Sequence, residues 1–306
     1  MKGIELERVQ APLRPTTSVA QKWRRKIAYW LRRISLHALV LGLSLIFALP
    51  FLWMLSTSLK DDPQVYRVPP IWIPIPIRWP NYPEALTYVP FGLYFFNTLR
   101  YCVFSTVGAV ASSALCAYGF SKINWPGRDI VFFLLLATLM IPFQVQMVPL
   151  YLIFHQLNWL NTYLPLIVPS YLGSAYFVFL LRQFFLTIPA ELSDAARIDG
   201  ASERQILYHI ILPLAKPALI VVGLFQFMDA WNDYVGPLIY LRDTDKFPIA
   251  LGLEQMRANS VVAAVIPLAW PHLMAASTVV ILPVVLLYFF AQRTFVEGIT
   301  VTGVKG

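Results

Sequence analysis

Residues 189–217 read PAELSDAARIDGASERQILYHIILPLAKP, the most polar stretch in the second half of a 306-residue chain, and they stand between two long apolar runs. A soluble segment in that place serves something outside the membrane. Thr187 followed by Pro189 reads as a helix start, with Leu192, Ala195 and Ala196 forming a narrow apolar stripe while Glu191, Asp194 and Arg197 stay in water. Gly200 ends that helix, because glycine enters the left-handed conformation without a Cβ clash. Ser202 with Gln205 makes a capping box that starts a second helix, and Ile210, Leu212 and Pro213 lead it into the next apolar run. The predicted unit is helix, tight turn, helix.

Around this segment 58% of the chain is apolar and 13% charged, which excludes an ordinary soluble globule and predicts an all-α polytopic membrane protein. Six transmembrane helices are expected at about 37–59, 94–120, 130–154, 164–185, 218–240 and 266–291, in a transmembrane domain of 37–291 that contains the hairpin at 189–213. Residues 1–36 form an N-terminal arm. Within it, 21–36 places Trp23, Ile27, Trp30, Leu31 and Ile34 on one helical face and Lys22, Arg24, Arg25, Lys26, Arg32 and Arg33 on the other, as an interfacial helix on anionic membrane lipid does. No small-residue cleavage site closes the first apolar run, so an uncleaved anchor is expected. The proline-rich residues 60–91 read as an ordered external loop, 241–265 as a second external segment, and 292–306 as a short tail.

Small residues in the second span (Gly108, Ala109, Ala111, Ser112, Ser113) allow close helix approach, and Pro142 and Pro149 are expected to kink the third near Gln144 and Gln146. An even number of spans puts both termini on one side. Of the 24 Lys and Arg residues, seven fall on the opposite face (Lys60, Arg67, Arg78, Arg100, Arg242, Lys246, Arg257), so the termini and the hairpin are assigned to the cytoplasm. The same topology accounts for the net charge of +8 without nucleic acid. Cys102 and Cys116 share one apolar run and the four histidines are scattered, which gives neither disulfide nor metal spacing and no catalytic centre.

Asp194-Ala195-Ala196, Gly200 four residues on, and Ile210-x-Leu212-Pro213 beyond it resemble the "EAA" cytoplasmic loop of permease subunits of ATP-binding-cassette importers, and Ala195-Ala196-Arg197-Ile198-Asp199-Gly200-Ala201 is similar to the maltose-type carbohydrate branch. Asp194 departs from the family's usual Glu, leaving the carboxylate on a stem one methylene shorter. The resemblance implies a coupling hairpin whose ATPase-docking residues are Asp194, Ala195, Ala196, Arg197, Asp199, Gly200 and Pro213. It also implies a second homologous permease, an ATPase dimer that holds ATP and magnesium, and an extracytoplasmic sugar-binding protein. The tail at 295–306 is similar to the family's ending and implies a second ATPase contact. No Gly-x-x-x-x-Gly-Lys-Ser/Thr phosphate loop occurs, so no cofactor is expected on this chain.

In the fifth span Gln226, Asp229 and Asp233 are spaced to lie on one arc, with Asn232 beside them, and an ionisable residue within a span is a functional candidate. Trp231-Asn232-Asp233-Tyr234 resembles a recurrent stretch of carbohydrate permeases, and Trp231 would offer the aromatic face on which a sugar ring stacks. Gln144, beside a proline, is a further pathway candidate, with Gln146 near it. The expected function is the permease half of a carbohydrate importer in the cell inner membrane. A permease for glycerol phosphate or a polyamine is the alternative, and a secondary transporter would show internal repeats or charges spread over several spans.

Overall fold

The computed structural model describes residues 19–262 and 270–303, with side chains for 23, 26–258 and 270–292. The arm before residue 19, the first residues of the sixth expected span and the last three of the tail lie outside the described residues. Every regular element among them is helical. The chain divides into two units, 1–53 and 54–306.

Helix α1 (Val19–Ser58) runs unbroken for 40 residues. The sequence predicts an interfacial helix and then a separate span; no proline or glycine stands between residues 21 and 41 to part them, so one helix forms. At 1.5 Å per residue it is about 60 Å long, twice a bilayer core. Its part at Lys26–Ser58 is long and apolar enough to cross a membrane. In the first unit the Arg33 guanidinium stands over the Trp30 ring at 5.6 Å.

In the second unit, the proline-rich segment holds a one-turn helix, Asp62–Val65, and α2 (Asn81–Tyr88). The Asn81 amide fastens it by donating to the carbonyls of Ser58 (2.9 Å) and Lys60 (2.8 Å). Helix α3 (Phe91–Ser121) is the centre of this unit. Its small residues do permit close approach. Ala109 and Ser113 are fully buried, Ser112 donates to the Ser170 carbonyl at 3.0 Å, and the Tyr171 ring occupies the space a Cβ on Gly108 would need.

The third span is two helices, α4 (Arg128–Ala137) and α5 (Phe143–Gln156), at 99° to each other. Pro142 has no amide hydrogen and pushes Ile141 into extended backbone (φ −82°, ψ 112°), so the helix breaks there, before Gln144 and Gln146, while Pro149 sits inside α5 without breaking it. The fourth span begins with Leu164–Ile167 and a 3₁₀ stretch, Val168–Leu172, before α6 (Ala175–Thr187).

The hairpin is α7 (Ala190–Ile198) and α8 (Glu203–Leu214). Thr187 does not start α7; its hydroxyl donates to the Phe184 carbonyl at the end of α6, and Pro189 stands at the cap position. Gly200 has φ +85°, and Ser202 and Gln205 form the expected capping box. Within α8, Leu207–Ile211 is a π turn, which widens the helix ahead of Pro213, whose ring would otherwise press on the carbonyl one turn back. After Ala215 the chain bends by 79° into α9 (Lys216–Asn232).

The sequence reads one span through Tyr240, but α9 stops at Asn232, Asp233 is extended, and α10 (Val235–Tyr240) starts afresh. Within the expected external segment 241–265 lies α11 (Ile249–Val262), on which Gly252 lies against the Tyr94 ring of α3. Helix α12 (Trp270–Gly303) continues through most of the expected tail. Among the described residues, four helices are long and apolar enough to cross a membrane by themselves, and the number rises to as many as six if each bent pair is one span.

Candidate functional site

A cavity of about 650 Å³ opens where the broken third span meets the end of α9. Its lining includes Tyr101 of α3, Phe143 at the first turn of α5, and Asp229, Asn232, Asp233 and Tyr234. The lining contains two carboxylates and neither Lys nor Arg.

Asp233 reaches its place because α9 ends one residue earlier. From extended backbone its carboxylate accepts the Gly236 backbone N–H at 3.0 Å and the Tyr101 hydroxyl at 2.9 Å. This differs from the expected arc, since Asp233 leaves the helix that carries Gln226 and Asp229. Asp229 and Asp233 share the cavity, and Gln226 is half-buried and absent from its lining. The Asn232 amide donates to the Met228 carbonyl at 2.7 Å. Trp231 is only 4% exposed, stacked on Phe227 at 5.7 Å and edge-on to Phe95 at 6.0 Å, so its ring fills the core beside the cavity. Gln144 is exposed next to Phe143, and the Gln146 amide donates to the Ile141 carbonyl at the break. Tyr101 was not singled out from sequence; the available signal was a phenol inside an apolar run, which seeks a hydrogen-bond partner when buried.

On the hairpin, α7 turns Ser193 inward, with Ala196 and Arg197 half-buried. Two of the three residues of the expected apolar stripe are open, Leu192 at 44% exposed and Ala195, while Ala196 packs against the core; Ile198, next to Asp199 and Gly200, is 86% exposed. A Cβ on Gly200 would meet nothing within 4 Å. Arg197, expected in water, is instead a junction. It donates to Asp194 (2.7 Å) and to Glu203 (2.8 Å) of α8, and Glu203 also accepts the Tyr118 hydroxyl of α3 at 2.5 Å. The Arg197 guanidinium, and then the Tyr118 hydroxyl, hold the Glu203 carboxyl below the usual carboxylate range. Lys122, just past α3, donates to the Ile188 carbonyl at 2.6 Å, and burial pushes its ammonium down. Pro213 lies beyond the π turn, near the bend into α9.

Several known proteins are similar to this chain. It is 34% identical over 267 residues, 85% of this chain and 93% of the relative, to the sn-glycerol-3-phosphate transport system permease protein UgpE of Yersinia enterocolitica. It is also 34% identical over 287 residues, 90% of this chain and 96% of the relative, to the arabinooligosaccharides transport system permease protein AraQ of Bacillus subtilis. A third relative, the diacetylchitobiose uptake system permease protein NgcG of Streptomyces coelicolor, is 30% identical over 266 residues, 86% of each chain. Among solved structures, one chain of a bacterial ABC transporter involved in the import of the acidic polysaccharide alginate superposes with a TM-score of 0.73 at 25% identity, covering 92% of this chain and 99% of that chain. The model of the binding-protein-dependent transport system inner membrane component family matches residues 106–301, which contain the hairpin and every cavity residue named above except Tyr101. The long apolar helices, the capped hairpin with its exposed apolar face and the family match agree: the chain belongs to the binding-protein-dependent transport system inner membrane components, the permeases of that class of importer.

Proposed function

We propose that the chain is one permease half of an ATP-driven importer of uncharged carbohydrate. It pairs with a second, homologous permease in the cell inner membrane, receives sugar from an extracytoplasmic binding protein, and docks on one ATPase of a dimer. It has no catalytic residue and binds no cofactor; ATP and magnesium belong to the ATPase. Its termini and hairpin face the cytoplasm, as the Lys and Arg distribution supports.

Asp194, Ala195, Ala196, Arg197, Asp199, Gly200 and Pro213 serve the ATPase contact. The support is the outward apolar face of α7, where Leu192, Ala195 and Ile198 lie open beside a glycine with clear space around it. Such a face on a water-exposed hairpin wants a partner surface. Closure of the ATPase dimer draws the hairpins together and rocks the helices between inward-open and outward-open states.

The observation that carries the substrate reading is the cavity. Asp229, Asn232 and Asp233 offer carboxylate and amide groups to sugar hydroxyls, with Tyr101, Phe143 and Tyr234 around them. Gln226 and Gln144 flank this region, and Trp231 supports its wall from the core. A phosphate ester or an acidic sugar would meet two carboxylates and no cation here, so an uncharged oligosaccharide fits this chain better than glycerol phosphate does. A polyamine would match the carboxylates; the relatives named for arabinooligosaccharides and diacetylchitobiose weigh against it.

The test is purification of the chain from its native membrane in mild detergent, with a Gly200→Trp variant alongside. A second permease and an ATPase are expected with the wild type, and loss of the ATPase alone with the variant. Reconstituted complex is then offered neutral oligosaccharides, glycerol phosphate and polyamines. A chain that comes away alone and transports without ATP, or a complex that takes up only the charged solutes, overturns the reading.

A further inference from the structure

Helix α3 touches both regions described above, one at each end. Near its C-terminus Tyr118 donates to Glu203, which Arg197 of the hairpin also holds, and toward its N-terminus Tyr101 donates to Asp233 in the cavity. Both phenols are buried. Seventeen residues of continuous α-helix separate them, about 25 Å along the axis. Between them α3 is gripped on several sides: Ala109, Ser113 and Ala117 are fully buried, Gly108 lies under the Tyr171 ring, and Gly223 of α9 faces Thr106 and Val110.

The covalent routes from hairpin to cavity are less stiff. Through α8 and α9 the chain passes a π turn at Leu207–Ile211 and a 79° bend at Ala215, and toward α6 it passes the extended Ile188 and Pro189. Bends and π turns lack the regular hydrogen-bond ladder that keeps a helix rigid, so they absorb a displacement. Helix α3 has no such interruption over its 31 residues.

We propose that α3 is the rod that carries hairpin displacement to the cavity, with Tyr118–Glu203–Arg197 as the clasp at the hairpin and Tyr101–Asp233 as the clasp at the cavity. This rests on the reading that the hairpin docks on an ATPase. Tyr118 and Glu203 are then positioning residues: they touch neither solute nor nucleotide, yet they decide how much of the ATPase motion reaches Asp233.

The experiment uses the whole transporter in proteoliposomes, with Val235→Cys as a reporter on the cavity wall and Cys116→Ser to remove the exposed native thiol. ATP hydrolysis and the ATP-driven change in maleimide reactivity at position 235 are measured together. In Y118F and E203A, hydrolysis is expected to persist while the reactivity change shrinks by about 5-fold or more, at the lower end of usual coupling factors. The double variant should lose no more than either single one, because both break one clasp. Ser112→Ala, which removes a hydrogen bond from the middle of α3 and leaves both clasps intact, should keep the full change. A full reactivity change in Y118F, or a fall in hydrolysis that matches the fall in reactivity change, overturns the rod. The readout needs no solute, so a wrong sugar assignment leaves it intact. A wild-type complex without any ATP-driven change sinks the docking reading instead, and the rod with it.

Discussion

The Tyr101 hydroxyl and the Asp233 carboxylate, 132 residues apart in sequence, are joined by a 2.9 Å hydrogen bond that ties α3 to the chain break after α9. Asp233 also accepts the Gly236 N–H in the first turn of α10 while facing the cavity. Replacing it by alanine leaves a buried phenol without its acceptor, and Asp233→Ala is expected to cost about 1–3 kcal/mol. Asp233→Asn keeps an acceptor oxygen and should cost less. Thermal unfolding in detergent checks the order; equal losses would mean that the bond contributes nothing.

Tyr171 lies so close over Gly108 that a methyl group there has no room. Gly108→Ala is expected to destabilise by about 1–3 kcal/mol through overpacking. Shortening the neighbour should restore part of the loss, so the pair Gly108→Ala with Tyr171→Leu ought to melt above Gly108→Ala alone. Additive losses in the double variant would contradict the contact.

At Gly200 the difficulty is backbone and not space, since φ is +85° and nothing stands within 4 Å of a Cβ. Gly200→Ala should cost about 1–2 kcal/mol of hairpin stability from the left-handed strain. Gly200→Asn should cost less, because asparagine tolerates that region. Hydrogen exchange over 190–206 measures both, and an alanine variant with wild-type protection would show that the turn has rearranged.

The Ser202 hydroxyl accepts the Gln205 N–H, and the Gln205 amide oxygen accepts the Ser202 N–H at 2.8 Å. Ser202→Ala removes half of this box and should lower α8 stability by about 1 kcal/mol. Faster exchange confined to the first turn of α8, with unchanged α9, is the expected pattern. A uniform change across both helices would assign the effect elsewhere.

Glu203 is the site of an acid dependence. Its carboxyl is held below the ordinary value by Arg197 and Tyr118, so its stabilisation is fully present above the unfolded-state value of about 4.3 and is lost as pH falls through the lower folded one. In detergent the wild type should therefore lose stability below about pH 4 more steeply than E203Q, which has no proton to take up there. Parallel acid profiles would dissociate the ion pair from hairpin stability.

The features legible before any folding were local ones. Gly200, the Ser202–Gln205 box and the spacing through Pro213 fix the hairpin because turn and cap chemistry act within a few residues. Apolar runs of span length marked the helices that can cross a membrane for the same reason, four of them as single helices and up to six with the bent pairs. Pro142 marked a break in the third span, although its size, 99°, depends on what packs around it. Contacts between distant elements settled the remainder. Trp231 turned to the core because Phe95 and Phe227 offered rings to pack against, and Asp233 left its expected arc because a phenol from another helix and a new helix N-terminus held it outside α9. Tyr118 and Glu203, 85 residues apart, became partners only when α3 and the hairpin met. Helical and strand periodicities report the face a residue takes on its own element, and carry nothing about which distant element arrives to meet it.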